Sequence, residues 1–274
     1  MQNLYPLFER NRILKKELLW SLRDYSFAHM QLEYQSYGDG ILNGCLPMVR
    51  GQEVVMGKGI VKHGGFIYLV TEEMAVPYEP SGQLEILKLK AEEDRRSEDF
   101  ISYRLSLFLD RNAEKGEDEL EICRFKLRPG SQLRDRYKDF DDMATEFDTV
   151  DVTRADWGGP EGKTLPAAVT DYYARLVLEE SGSRPEDISF AYLCLNQTGA
   201  VAVRVLEHYV GSRLAGMGVP RGQRDMGAGD GGRAEREGRN RRLFDGLVRI
   251  LDEIRGNRRR GKDRIGDRRR ILVE

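Results

Sequence analysis

From Ile13 to Tyr37 the chain has no Gly or Pro, and its apolar residues recur at helical spacing. Leu14, Leu18, Leu22, Tyr25 and Leu32 form one stripe, with Phe27, Met30 and Tyr34 beside it. The spacing predicts one long helix. Leu19 and Trp20 widen its apolar face beyond a single core contact, so the helix is expected to pack on two sides or to meet a neighbouring subunit, with Leu14, Leu18, Trp20, Leu22, Tyr25 and Phe27 as the candidate interface. At Tyr37-Gly38-Asp39-Gly40 the period changes. Ile41-Leu42, Val54-Val55-Met56, Ile60-Val61 and Phe66 to Val70 are too short for helices and are separated by Gly44, Gly51, Gly57, Gly59, Gly64 and Gly65, which predicts tight β hairpins. Strand character continues at Leu84 to Leu89, Tyr103 to Leu109 and Leu120 to Leu127. In the last of these the alternation slips at Cys123-Arg124, as a bulge would make it do.

Beyond this block the period becomes helical again. Thr164 is the expected cap of a helix over Ala167 to Glu180, with Pro166 in its first turn, and two more helices are expected from Ser183 through Leu195 and from Ala200 to Val210. Gly211 to Asn240 is rich in Gly, Arg and Asp and predicts a disordered linker. Leu243 to Ile254 predicts a short amphipathic helix ending at Gly256. The expected fold is α+β: an N-terminal helical segment (1–38), a β meander or small barrel or sandwich (39–164), a helical unit (165–213), a linker (214–240), and a short helix with a basic tail (241–274).

The 274 residues, 40% hydrophobic, suffice for one large domain or two ordinary ones. No run of about 18 apolar residues occurs, and the first 19 residues are charged where a signal peptide is apolar, so a cytoplasmic protein without a membrane span is expected, either free or assembled into a particle. Cys45, Cys123 and Cys194 lie far apart, which suggests buried thiols in a reducing compartment. The net charge of −2 conceals an acidic body, −10 up to Val210, and a basic remainder, +8 from Gly211 onward. Arg258, Arg259, Arg260, Lys262, Arg268, Arg269 and Arg270 could engage either nucleic acid or an acidic protein.

Candidate chemistry is sparse. Gly162, Lys163 and Thr164 end like a phosphate-binding loop, but Trp157 stands where the leading glycine belongs and Asp148 to Asp156 is too polar for the preceding buried strand. The acidic stretch Asp135 to Asp151 lacks the ligand spacing of a calcium loop and reads as a solvated edge held down by Tyr137, Phe140 and Phe147. His29, His63 and His208 have no nucleophile or second ligand beside them. No catalysis, metal or cofactor is expected.

The run Tyr37 to Gly44, followed by Gly57-Lys58-Gly59-Ile60-Val61-Lys62-His63-Gly64-Gly65-Phe66-Ile67-Tyr68-Leu69 and Thr71-Glu72, resembles the glycine rhythm of baseplate and tail-fibre attachment proteins from phage tails and contractile injection particles. The resemblance covers about 45 residues. It implies a small β unit, here with Asp39, Gly40, Gly44, Gly59, Gly65 and Tyr68, that docks onto a particle as a homo-oligomer beside other tail or baseplate proteins. No repetitive shaft follows, which favours a baseplate component or adaptor over a receptor-binding fibre. The alternative is a nucleic-acid-binding protein using the basic tail, with a degenerate nucleotide site at Gly158 to Thr164.

Overall fold

A computed structural model describes residue 10 and residues 13–96, 101–219 and 233–270; the side chains of 96, 101, 233–237 and 257–270 are outside that description. The architecture is α+β. Helix α1 (Lys16–Glu33) leads into β1 (Gly40–Gly44), β2 (Pro47–Arg50), β3 (Glu53–Met56), β4 (Gly59–His63), β5 (Phe66–Val70) and β6 (Met74–Pro77). Three longer strands follow, β7 (Leu84–Arg96), β8 (Ile101–Asp110) and β9 (Glu119–Lys126), and then the short β10 (Trp157–Gly159) and β11 (Gly162–Thr164). Helices α2 (Ala167–Glu179), α3 (Pro185–Leu195), α4 (Val203–Gly216) and α5 (Arg233–Arg270) complete the chain.

The strands form three sheets, in the orders β11-β10-β1-β4-β5, β2-β3-β6 and β8-β7-β9. The first is not a simple meander. β10 returns from far along the chain to lie parallel to β1, with Ile41 opposite Trp157, whereas β1 to β4 and β4 to β5 are antiparallel. The glycine rhythm marks where these backbones come closest. Gly44 has φ +66°, and a Cβ there would stand 2.1 Å from the Lys58 carbonyl oxygen. A Cβ on Gly158 would meet the Gly38 carbonyl at the same 2.1 Å, so only glycine lets β10 close against the entry to β1.

β9 carries its bulge one residue earlier than the alternation suggested. Leu87 faces Cys123 and Lys88 faces Glu121, so Ile122 is the extra residue, and Ile122 and Cys123 are both buried. β7 is central in its sheet and buried on both faces over Glu85 to Leu89. Lys88 lies fully inside; its ammonium donates to Asp110 (2.6 Å), Glu119 (3.1 Å) and the Glu114 carbonyl (2.6 Å), partners that a buried charge requires.

The helical part differs from the expectation in three ways. Thr164 lies in β11 and its hydroxyl donates to the Val201 carbonyl at 2.7 Å, so Pro166, not Thr164, stands at the start of α2. Gly211 to Gly216 belongs to α4; of the expected linker, 220–232 lie outside the described residues. The C-terminal helix does not stop at Gly256 but runs through Arg270. Its segment Leu243 to Ile254 is no detached amphipath: Leu243, Phe244, Leu247, Ile250, Leu251 and Ile254 are buried in the same continuous core as α2, α3, α4 and the sheets. Gly246 allows the close α4 to α5 crossing, since a Cβ there would come within 2.4 Å of Val210 Cγ1.

A buried polar chain ties the helices together. Tyr173 and Tyr209 share a hydroxyl hydrogen bond (2.7 Å), Tyr209 donates to Asp187 (2.8 Å), and Arg213 bridges Asp187 and Glu253 at 2.6 Å each. Burial raises both tyrosine pKa values, so the hydroxyls stay protonated and can donate. The acidic stretch before β10 is likewise wired inward: Asp142 accepts from Arg134, Asp139 from Arg255, Asp148 from Arg128, and Asp135 from the Val49 amide.

Candidate docking surface

Helix α1 has no buried residue. Leu14, Leu19, Trp20, Leu22, Tyr25, Phe27 and Leu32 are all exposed, with relative accessibility of 59% at Leu14, 64% at Tyr25 and 71% at Leu32. Leu18, Ser21, Met30 and Tyr34 are half-buried. An 18-residue helix with this many free apolar side chains has little intrinsic reason to persist in water, because helices in proteins gain most of their stability from packing an apolar face.

The helix is held mainly at its C-terminal end. Lys62 of β4 donates to the carbonyls of Tyr34 (2.9 Å) and Tyr37 (2.7 Å), meeting groups that a helix end leaves without partners and placing a cation at the negative end of its dipole. About two turns earlier, Phe27 meets Phe66 with ring centroids 6.5 Å apart. Phe66 in turn contacts Tyr68 (4.9 Å) and Tyr103 (4.8 Å), so one aromatic cluster joins α1, β5 and β8. Between them lies an apolar groove of about 380 Å³ lined by Phe27, Met30, Phe66, Tyr68, Leu69 and Tyr103, among others. Both strands that border it, β5 and β8, are sheet edges. Exposed edges offer unpaired backbone groups next to the apolar patch, as protein contact surfaces do.

Of the candidate interface residues, Leu18 is half-buried and the other five are exposed. Of the β-block residues, Tyr68 joins the aromatic cluster, while Asp39 accepts from the Gly64 amide (3.0 Å) and pins the β4 to β5 hairpin whose tip includes Gly65 at φ +77°. Gly40, Gly44 and Gly59 serve close approaches inside the first sheet. Phe66 and Tyr103 were missed by the sequence reading; they come together only through pairing between sheets, which local spacing does not encode.

Gly162, Lys163 and Thr164 form an ordinary hairpin strand, not a phosphate loop. The Lys163 ammonium donates to Asp156 at 2.9 Å and the Thr164 hydroxyl is committed to Val201, so neither is arranged around a phosphate. The side chains of Arg258, Arg259, Arg260, Lys262, Arg268, Arg269 and Arg270 are outside the described residues. His29 sits exposed on α1 with Glu33 at 3.5 Å. Cys45, Cys123 and Cys194 are buried free thiols, and burial pushes Cys45 and Cys194 up to about 12. Among the described residues, no helix is long and apolar enough to cross a membrane and no cluster of metal-binding side chains occurs.

No protein-family model matches the chain, and no curated protein sequence matches it. Among solved structures, a chain of a type VI secretion system TssK-TssF-TssG baseplate subcomplex is similar at a TM-score of 0.40 and 12% identity, covering 92% of this chain and 100% of that one. A crystal structure of TssK is similar at a TM-score of 0.37 and 9% identity, covering 91% of this chain and 69% of that one.

Proposed function

We propose that the chain is a self-associating structural component of a baseplate-type assembly, docking through α1 and the aromatic groove beneath it. The observation that carries this reading is a well-formed helix with six exposed large apolar side chains and no buried residue. Such a face is stable when a partner covers it. The helix and its cap residue Lys15 together hold three basic and three acidic residues, so copies can approach without strong like-charge repulsion. The glycine rhythm of the β block supports the baseplate context by resemblance.

Light scattering coupled to size-exclusion chromatography tests this directly. The wild-type chain is expected to associate at micromolar concentration. Leu22→Glu with Tyr25→Glu is expected to return it to monomer while changing fold stability by no more than about 0.5 kcal/mol, because both positions are exposed in the monomer. A wild-type chain that stays monomeric at high concentration, or a double variant that associates as before, overturns self-association through α1.

A further inference from the structure

A second cavity shares no lining residue with the apolar groove. It is a cavity of about 500 Å³ where the β sheets meet the start of the buried part of α5. Its walls come from six separate stretches of chain, and the residues that matter are His63, Lys115, Arg154, Asp156, Lys163 and Arg239. Trp157, Leu120 and Ala155 supply an apolar wall.

The carboxylates inside, Glu117 apart, are already engaged. Asp156 accepts from Lys163 (2.9 Å), from Lys115 and from the Glu121 amide (2.8 Å); Glu119 accepts from Lys88 and from the Gly116 amide; Asp39 accepts from Gly64. Glu117 also lines the cavity and is exposed. In formal charge the lining balances, with Lys115, Arg154, Lys163 and Arg239 against Asp39, Glu117, Glu119 and Asp156, but the two arginines keep donors unused. Arg154 makes no hydrogen bond or ion pair with any described residue, although its charge is felt by Asp151, and Arg239 uses one terminal nitrogen on the Lys163 carbonyl (2.9 Å), with Glu207 its acidic neighbour. Five buried side-chain atoms among the described residues have no hydrogen-bond partner, and three of them, His63 Nδ1, Arg239 Nε and Asn240 Oδ1, belong to residues around this cavity. Buried polar groups are nearly always satisfied; of these three, His63 Nδ1 and Arg239 Nε can donate to a bound group, whereas Asn240 Oδ1 can only accept.

We infer that this cavity binds a small organic oxyanion, its phosphate or carboxylate head held by Arg154 and Arg239 and its apolar body against Trp157. A planar guanidinium that makes no other bond suits bidentate recognition of either head group. The volume falls in the range of small-molecule sites and exceeds what a bare phosphate fills. Because Arg239 and Asn240 belong to α5 and the rest to the β part, an occupant would also fasten the start of α5 to the sheets.

Trp157 reports on the site. The chain has two tryptophans, and Trp20→Phe leaves Trp157 alone. In that background, inorganic phosphate, phenyl phosphate and benzoate are titrated separately at constant ionic strength, following Trp157 emission and the heat of binding. A saturable response is expected for at least one of the two phenyl-bearing probes, at lower concentration than for inorganic phosphate; whichever saturates first distinguishes a phosphate from a carboxylate head. Arg154→Gln is expected to raise the half-saturation at least tenfold with an unchanged melting curve, since the Arg154 side chain bonds to no described residue. Responses that are absent, that match sodium chloride, or that persist unaltered in Arg154→Gln overturn the site.

Discussion

Asp142 shows how one residue of the acidic stretch supports the fold. Its carboxylate accepts both terminal nitrogens of Arg134 (2.9 and 3.0 Å), the Lys138 amide (2.8 Å) and the Thr145 hydroxyl (3.0 Å). The Arg134 contact is the largest cause of its pKa falling from 3.8 to about 2. A depressed carboxylate contributes stability that is present above its ordinary pKa and is lost as pH falls toward the folded value, here from about pH 4 to about pH 2. The contribution is about 2 kcal/mol at neutral pH. Arg134→Gln is expected to remove most of it at pH 7 and to flatten the stability profile below pH 4, as read by urea unfolding at a series of pH values. A profile as steep as the wild type would place the acid sensitivity on other carboxylates.

Among the elements, β1 depends most on a single residue type. Gly44 combines a positive φ with backbone contact, and Gly44→Ala must meet both the left-handed penalty and the clash with the Lys58 carbonyl. The expected loss is roughly 2–4 kcal/mol, measured as a shift in denaturation midpoint with little change in slope. This is also the scale at which the sequence was most and least legible. Short apolar runs between glycines located β1, β3, β4 and β5 because hairpin geometry is local. The pairing of β1 with β10 was invisible: β10 is three residues long, two of them glycine, and its partner lies more than a hundred residues away. Thr164 was misread because a hydroxyl before a proline and an apolar run looks like a cap, whereas its real partner, the Val201 carbonyl, comes from a distant loop. Leu14 to Phe27 were legible as an unusually wide apolar face, but the aromatic floor supplied by Phe66 and Tyr103 and the Arg154 and Arg239 cavity arise from contacts that no periodicity records.

For the whole molecule, the position of α5 matters most. Its residues Leu243 to Ile254 fill the centre of the helical layer, and Glu253 closes the ionic chain through Arg213 and Arg184. Ending the chain after Asn240 is expected to abolish cooperative melting, since it uncovers the faces of α2 and α4 and leaves Arg213 and Arg184 without Glu253. Ending it after Gly256 keeps every buried residue of α5 among those described and is expected to shift the melting temperature by no more than a few degrees. Circular dichroism melts of the two truncations make the comparison. Similar behaviour of both would mean that the bundle does not depend on α5.

The parallel return of β10 to β1 also sets a timetable for the growing chain. β1 can find β4 as soon as residue 63 has emerged, yet its other edge stays open until residues 157–164 follow. At a synthesis rate of about 5–20 residues per second, that leaves a strand edge bare for roughly 5 to 20 seconds on the ribosome. Throughout that interval the nascent protein presents Gly40 to Gly44 to any strand that passes, including its own counterpart on a neighbouring ribosome.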